Sequence, residues 1–525
     1  MLRRQIKLSG AAQGRFYSAA SSRRPAAVLP TLTHPTHSQP RPPMQDTPDD
    51  AQMKPQSFIL RPLSRRYQLR SVSSSSSSSS STTFHFLSPA SPQPRTLSLP
   101  NLFIRDASIH PDHVHPSSQQ KLFRTTDIPL EGKLVGYGVH DVPGHGECLV
   151  TEWSTALTTS GVPVQARKLS VVPVDFLSGI MKGDAEHDER AGVHPPARTW
   201  DGESLERTLK NTDYAAFQKD DTALFETLDA LTRDGIVIVR GVPTEAKEGQ
   251  ATELRKVVER IGSVRRTWYG DLWDVRAVEG SKNIAYTNLD LGLHMDLTHF
   301  DSPPRYQFLH SLQNKHINGG LSYFVDSFAI AEHLRLNSPS AFRTLCKEPV
   351  LFEYKNGGQH TRFSRPTFEL KEGSTDNLHA VNYSPPFQGP LPLQHISRKS
   401  NSNETRSDDA NRLAELHDAL SRFSRLCDGD SLPGSGTPSR FRWEYQLQPG
   451  DCVVFDNRRI LHARTAFEFT TQGEGEKGEK EEEEEGGRWL KGAYMDGDEV
   501  WSKLRVLRAS RREGKGGKKG RTLFV

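Results

Sequence analysis

The segment Leu291-Gly292-Leu293-His294-Met295-Asp296 sets an imidazole and a carboxylate two residues apart behind an apolar lead-in. In an extended strand alternate side chains share a face, so His294 and Asp296 can hold one metal ion from one strand. Much later, Gln448-Pro449-Gly450 reads as a turn, Asp451–Phe455 as a buried strand, and Asp456–Arg459 as a second turn. Ile460-Leu461-His462 then opens another strand. A histidine in that setting is where a double-stranded β-helix supplies the third ligand of a two-histidine, one-carboxylate iron site. Alone, the His-x-Asp pair also fits an exposed polar pair at a strand end, and His462 a satisfied core histidine. Together they favour the metal reading.

The rest of the chain fits a rolled sheet with flanking helices. Ala223, Leu224, Leu228 and Leu231 share one helical face, and Gly235 and the buried strand Ile236–Val239 follow. Leu254, Val257, Val258 and Ile261 mark a second helix, and Leu413, Leu416, Leu420 and Phe423 a third. Strand-type runs occur at Arg305–Leu312, Leu321–Val325 and Asp451–Phe455. The expected fold is mainly β with flanking helices, a jelly-roll (double-stranded β-helix) domain over residues 200–508. A small all-β domain over 97–180 precedes it, read from Lys133–Val139, Glu147–Trp153 and Val164–Val174. Residues 181–210 read as a charged connector.

Residues 1–95 are rich in Pro, Ser and Gln, with serine unbroken from Ser73 to Ser81, and are expected to be disordered. The first 45 residues carry seven basic side chains and no acidic one, which fits a mitochondrial presequence and a matrix location, with the cytoplasm as the alternative. The polar stretches 396–409 and 471–487, the second holding Glu481–Glu485, are expected to loop out, and 509–525 to form a basic tail.

The net charge of +4 is carried by the two ends, so the middle is acidic and no groove for nucleic acid is expected. No apolar run reaches the ~18–20 residues of a membrane span. Cys148, Cys346, Cys427 and Cys452 lie too far apart to encode a disulfide framework or a cysteine zinc site.

Five stretches, in this order, carry a resemblance. They are Trp268-Tyr269-Gly270-Asp271-Leu272-Trp273, Asn283-Ile284-Ala285-Tyr286-Thr287, Leu293–Asp296, Phe455–Asn457 with Leu461–Arg464, and Arg488–Tyr494. With them the chain resembles, over about 97–508, the γ-butyrobetaine dioxygenase and trimethyllysine dioxygenase family of taurine-dioxygenase-like oxygenases. The resemblance implies Fe(II) on His294, Asp296 and His462, with 2-oxoglutarate as cosubstrate and ascorbate as reductant. Arg488 would pair with the distal carboxylate of 2-oxoglutarate, a bidentate contact suited to a guanidinium, and Ser322 would add a hydroxyl. Arg464 is its rival, because the acidic insert lengthens the spacing from His462 to Arg488. Tyr269, Trp273 and Tyr494 match an aromatic cage for a trimethylammonium group, and Asn283 and Tyr286 match the substrate channel.

Asn283 stands where trimethyllysine enzymes more often carry Asp, so γ-butyrobetaine, hydroxylated to L-carnitine, is the favoured substrate. Trimethyllysine, another small acid, and a catalytically inactive binding relative are the alternatives. Partners are then the small-molecule substrate, 2-oxoglutarate and O2, with a homodimer as the assembly to test. Three departures stand out. His110 and His113 replace cysteines of the family's zinc module without a clear fourth ligand. Arg458 stands where relatives often carry Trp, and Asn382-Tyr383-Ser384-Pro385 replaces paired asparagines.

Overall fold

The computed structural model describes residues 68–74, 80–88, 91–142, 145–182, 197–245, 252–276, 291–315, 317–391, 404–429, 440–469 and 487–515. Asn283, Tyr286 and the acidic stretch up to Gly486 lie outside the described residues, as does the presequence region.

Order begins earlier than the composition indicates. Strands β1 (Gln68–Ser74), β2 (Ser81–Ser88) and β3 (Ser91–Pro100) form a three-stranded antiparallel sheet. The expectation of disorder through residue 95 is corrected from Gln68 onward. Its cause is a period-2 pattern hidden beside the serine run: Thr82, Phe84 and Phe86 all point inward and are fully buried. Helix α1 (Asn101–Asp106) follows, then a second sheet of β4 (Leu134–Val142), β5 (Gly146–Trp153) and β6 (Leu169–Pro173), then helix α2 (Val174–Lys182). Leu69, Phe84 and Phe86 of the first sheet share one core with Leu149, Trp153 and Val172 of the second. The module therefore reaches back at least to Gln68 and is not all-β, because α1 and α2 close its core. Val164–Ala166, read as strand, is a short 3-10 turn.

The larger domain opens with α3 (Gly202–Thr208), β7 (Lys210–Asp213), α4 (Tyr214–Lys219), α5 (Asp221–Asp234), β8 (Ile236–Arg240), α6 (Glu253–Glu259) and β9 (Leu272–Arg276). The presumed connector thus already contains α3 and the start of β7. Next come β10 (Leu291–His294), β11 (Tyr306–Lys315), β12 (Ile317–Gly319), β13 (Ser322–Asp326), α7 (Ser327–Asn337) and α8 (Pro339–Lys347). The hairpin β14 (Pro349–Asn356) and β15 (Gln359–Pro366) leads to β16 (Phe368–Leu370), β17 (Leu378–Val381) and α9 (Glu404–Asp428). The domain closes with β18 (Arg442–Tyr445), β19 (Cys452–Asp456), β20 (Ile460–Arg464), β21 (Phe467–Phe469), β22 (Gly487–Met495) and α10 (Gly497–Lys515). Two boundaries move: α9 begins inside the stretch expected to be irregular, and α10 carries helix into the basic tail as far as Lys515.

A six-stranded sheet in the order β7-β8-β19-β11-β22-β9 faces a four-stranded sheet in the order β10-β20-β13-β18. Ile236, Ile238, Leu309, Val453, Phe455 and Leu490 from the first meet Phe324, Trp443 and Ile460 from the second. The intervening residues point outward: Val237, Val239, Phe308 and Val454 pack on α5, α6 and α10, while Leu293, Val325 and Leu461 pack on α7, α8 and α9. Strands β8 and β19 are covered on both faces, and Ile236–Val239 and Cys452–Phe455 are therefore apolar throughout rather than alternating. This is the expected jelly roll.

Candidate functional site

β10 and β20 are antiparallel neighbours with His294 directly opposite His462, and their rings lie 4.2 Å apart. Asp296 is not on the strand, as the period-2 reading expected, but in the turn after β10. Its carboxylate nonetheless returns to the histidines, with Oδ1 3.4 Å from His294 Nε2. Ligand atoms of the three residues all lie within 4.8 Å of one another, the one such His/Cys/Asp/Glu group among the described residues.

The turn is held by an amide clamp. The backbone N–H of Asp296 donates to Asn457 Oδ1 at 2.8 Å, and Asn457 Nδ2 donates to the Asp296 carbonyl at 2.9 Å and to Pro304 O at 3.2 Å. Leu297, next in the chain, has φ +57°, a left-handed backbone uncommon outside glycine, so the turn needs such support. Tyr494 Oη donates to Asp296 Oδ2 at 2.7 Å.

The protonation pattern fits a metal. His294 Nδ1 lies 2.9 Å from Gly292 O, which can only accept, so its proton sits on Nδ1 and Nε2 is free to ligate. Burial, with His294 adjoining, pushes His462 down to about 3, and its buried Nδ1 has no hydrogen-bond partner among the described residues. Burial alone would raise the Asp296 carboxyl. The adjoining His294 ring, the His462 imidazole and the Tyr494 hydroxyl instead hold it well below the usual carboxylate range. Two imidazoles and one carboxylate gathered in one group fit Fe(II) with open positions.

Arg488, Ser322 and Arg464 converge inside the same barrel. Arg488 Nη2 donates to Ser322 Oγ at 3.1 Å, and Ser322 stands opposite Arg464 in the strand register. Burial, and next the charge of Arg464, push the Arg488 guanidinium down to about 9. No carboxylate among the described residues pairs with Arg488, so a buried cation here calls for an anionic ligand. The structure brings the two rival arginines together rather than separating them.

Of the three cage residues, Trp273 and Tyr494 are in contact at 5.1 Å between ring centroids. Gly492 makes this possible, because a Cβ there would fall within 2.4 Å of the Trp273 ring. Tyr269 packs on Trp268 at 5.8 Å, and burial raises its phenol, with Tyr354 and Asp296 also nearby. Sequence reasoning missed the stack behind it, in which Trp268, His299 and Tyr354 lie 5.3–5.7 Å apart with rings within 23° of parallel. It also assigned no role to Asn457, although that residue stood within a matching stretch.

The departures are taken up by structure. Arg458 is paired with Glu369 at 2.9 Å, and Asn382 Nδ2 donates to the same carboxylate at 2.9 Å and to Pro366 O at 2.8 Å. In the first module His113 bonds Ser108 Oγ and Ala166 O through its two ring nitrogens, both at 3.0 Å. His110 Nδ1 accepts from the Asp112 N–H. These histidines serve a polar core, and their arrangement does not fit a zinc site.

A profile of the family described as taurine catabolism dioxygenase TauD, TfdA family matches residues 195–494. The dioxygenase str8 of Strobilurus tenacellus is 36% identical over 414 residues, covering 77% of this chain and 84% of that protein. The gamma-butyrobetaine dioxygenase of Pseudomonas sp. (strain AK-1) is 30% identical over 409 residues, covering 78% of this chain and 90% of its own. The human gamma-butyrobetaine dioxygenase is 28% identical over 325 residues, covering 61% and 71% respectively.

Proposed function

Because this chain belongs to the taurine catabolism dioxygenase TauD, TfdA family, we propose that it hydroxylates a small trimethylammonium carboxylate, foremost γ-butyrobetaine to L-carnitine. It is a dioxygenase that uses Fe(II) and 2-oxoglutarate. When bound, these supply with O2 the oxidising power for an unactivated C–H bond, and 2-oxoglutarate leaves as succinate and CO2.

The protein's part is geometry and charge. His294, Asp296 and His462 would hold the iron from one side. Burial keeps His462 neutral before metal arrives, so no proton has to leave that ring. Tyr494 engages one oxygen of Asp296 and leaves the other turned toward His294. Arg488, with Ser322, would take the distal carboxylate of 2-oxoglutarate inside the barrel, where a charge-assisted bond is strong because water is excluded.

The observation that carries the substrate reading is the Trp273–Tyr494 pair. Its two rings touch each other, and the second also touches the metal-binding carboxylate. A quaternary ammonium cannot donate a hydrogen bond and is held by ring faces, so this pair offers it a seat beside the oxidising centre. The γ-butyrobetaine dioxygenases among the relatives support the same reading. The test is succinate release and product formation with γ-butyrobetaine and trimethyllysine side by side, after anaerobic loading with Fe(II). Turnover coupled to hydroxylation of γ-butyrobetaine supports the reading. Coupled turnover with trimethyllysine alone would overturn it.

A further inference from the structure

Gln307 lies at the centre of β11, between two strands that touch the iron ligands. In register it faces Phe455 of β19 on one side and Tyr494 of β22 on the other. Directly opposed residues of an antiparallel pair project from the same face, so these three side chains form one row. Phe455 packs on His462 at 4.9 Å, and Tyr494 donates to Asp296. The middle member of that row must look into the space before the metal. The neighbouring positions confirm the direction: Tyr306 and Phe308 belong to the outer helical core, and Leu309 to the core between the sheets.

The Gln307 side chain is 1% exposed, and its amide oxygen is buried without a hydrogen-bond partner among the described residues. Burying an amide without a partner is unfavourable, and such groups are retained where a ligand satisfies them. On the same barrel face, Trp273 stands opposite Gly492, two residues along β22 from Tyr494. The unpartnered carbonyl dipole therefore borders the aromatic pair.

We propose that Gln307 is a specificity-determining residue whose amide oxygen forms the polar wall of the pocket for a quaternary ammonium group. This inference rests on the trimethylammonium reading above. The carbonyl dipole turns its negative end toward the cation, and the N-methyl groups, polarised by the charge, make weak C–H···O contacts with it. Aromatic faces alone discriminate a cation from an equally shaped hydrocarbon. A fixed dipole in the same dry pocket sharpens the discrimination without introducing a formal charge that would have to be buried.

The test uses the enzyme loaded with Fe(II) and 2-oxoglutarate under anaerobic conditions, with binding read by calorimetry. Two ligands are compared: γ-butyrobetaine and its uncharged carbon isostere, 5,5-dimethylhexanoate. Gln307→Leu keeps the volume and removes the dipole. It is expected to weaken γ-butyrobetaine about tenfold, within the range of a desolvated cation contact, and to leave the isostere within about twofold. Gln307→Glu is expected to widen the preference for the cation, which keeps the test decisive if the leucine variant fails to fold. Equal effects on both ligands, no effect on either, or a change confined to 2-oxoglutarate affinity would overturn the inference while sparing the substrate reading. Wild-type enzyme that binds γ-butyrobetaine no better than the isostere would overturn both.

Discussion

Asn457 closes both backbone hydrogen bonds of Asp296, accepting from its N–H at 2.8 Å and donating to its carbonyl at 2.9 Å. The two residues are 161 positions apart, and the clamp ties the turn before β20 to the turn after β10. One ligand of the triad is thereby indexed to the strand that carries another.

Asn457→Leu is expected to weaken metal binding by about 10- to 100-fold, the usual cost of removing a group that orients a ligand. It should also cost about 1–3 kcal/mol of stability by leaving buried peptide groups unpaired. Metal titration and urea unfolding of the same preparation check the two effects together. A variant that unfolds earlier but binds metal with wild-type affinity would confine Asn457 to a structural role.

The two buried arginines separate by truncation. Arg488→Ala is expected to raise the KM for 2-oxoglutarate steeply, because stripping one member of a buried charge pair costs about 2–5 kcal/mol. Arg488→Lys should recover only part of this, since an ammonium lacks the planar fork. Arg464→Ala should have the smaller effect. A larger defect in Arg464→Ala would move the carboxylate anchor to β20.

What was legible in the sequence was local. His294, Asp296 and His462 stood out because their neighbours announce strands and turns, and all three meet. Strands β8 and β19 were readable because burial on both faces makes them continuously apolar. The surroundings of Gln307 and the clamp made by Asn457 were not readable, because each depends on a segment about 150 residues or more away in the chain, although Asn457 stood within a matching stretch. The β1–β3 sheet was lost for the opposite reason: a run of serine overwhelmed the alternation of Phe84 and Phe86. Residue type alone left zinc at His110 and His113 doubtful for want of a fourth ligand, and Ser108 and the Ala166 carbonyl decide what His113 does.

Acid should destabilise the metal-free protein at mild pH. Burial pushes His113, His299 and His310 each down to about 4, whereas the unfolded chain protonates them near ~6.5. Between those values the unfolded state binds more protons, so stability falls as pH drops through that window, by up to ~1.4 kcal/mol per pH unit for each group. The urea midpoint is expected to be clearly lower at pH 5 than at pH 7.5. An unchanged midpoint would mean that these rings are not held neutral.

The central claim is that His294, Asp296 and His462 form one iron site that drives 2-oxoglutarate decarboxylation. The most direct measurement is Fe(II) stoichiometry and 2-oxoglutarate-dependent succinate release for the wild type and for Asp296→Ala, with circular dichroism as the control for folding. The account predicts one Fe(II) per chain and succinate release for the wild type. It predicts loss of tight Fe(II) binding and of succinate release in a variant whose dichroism is unchanged. A folded Asp296→Ala protein that still binds one Fe(II) tightly and releases succinate at the wild-type rate would contradict it.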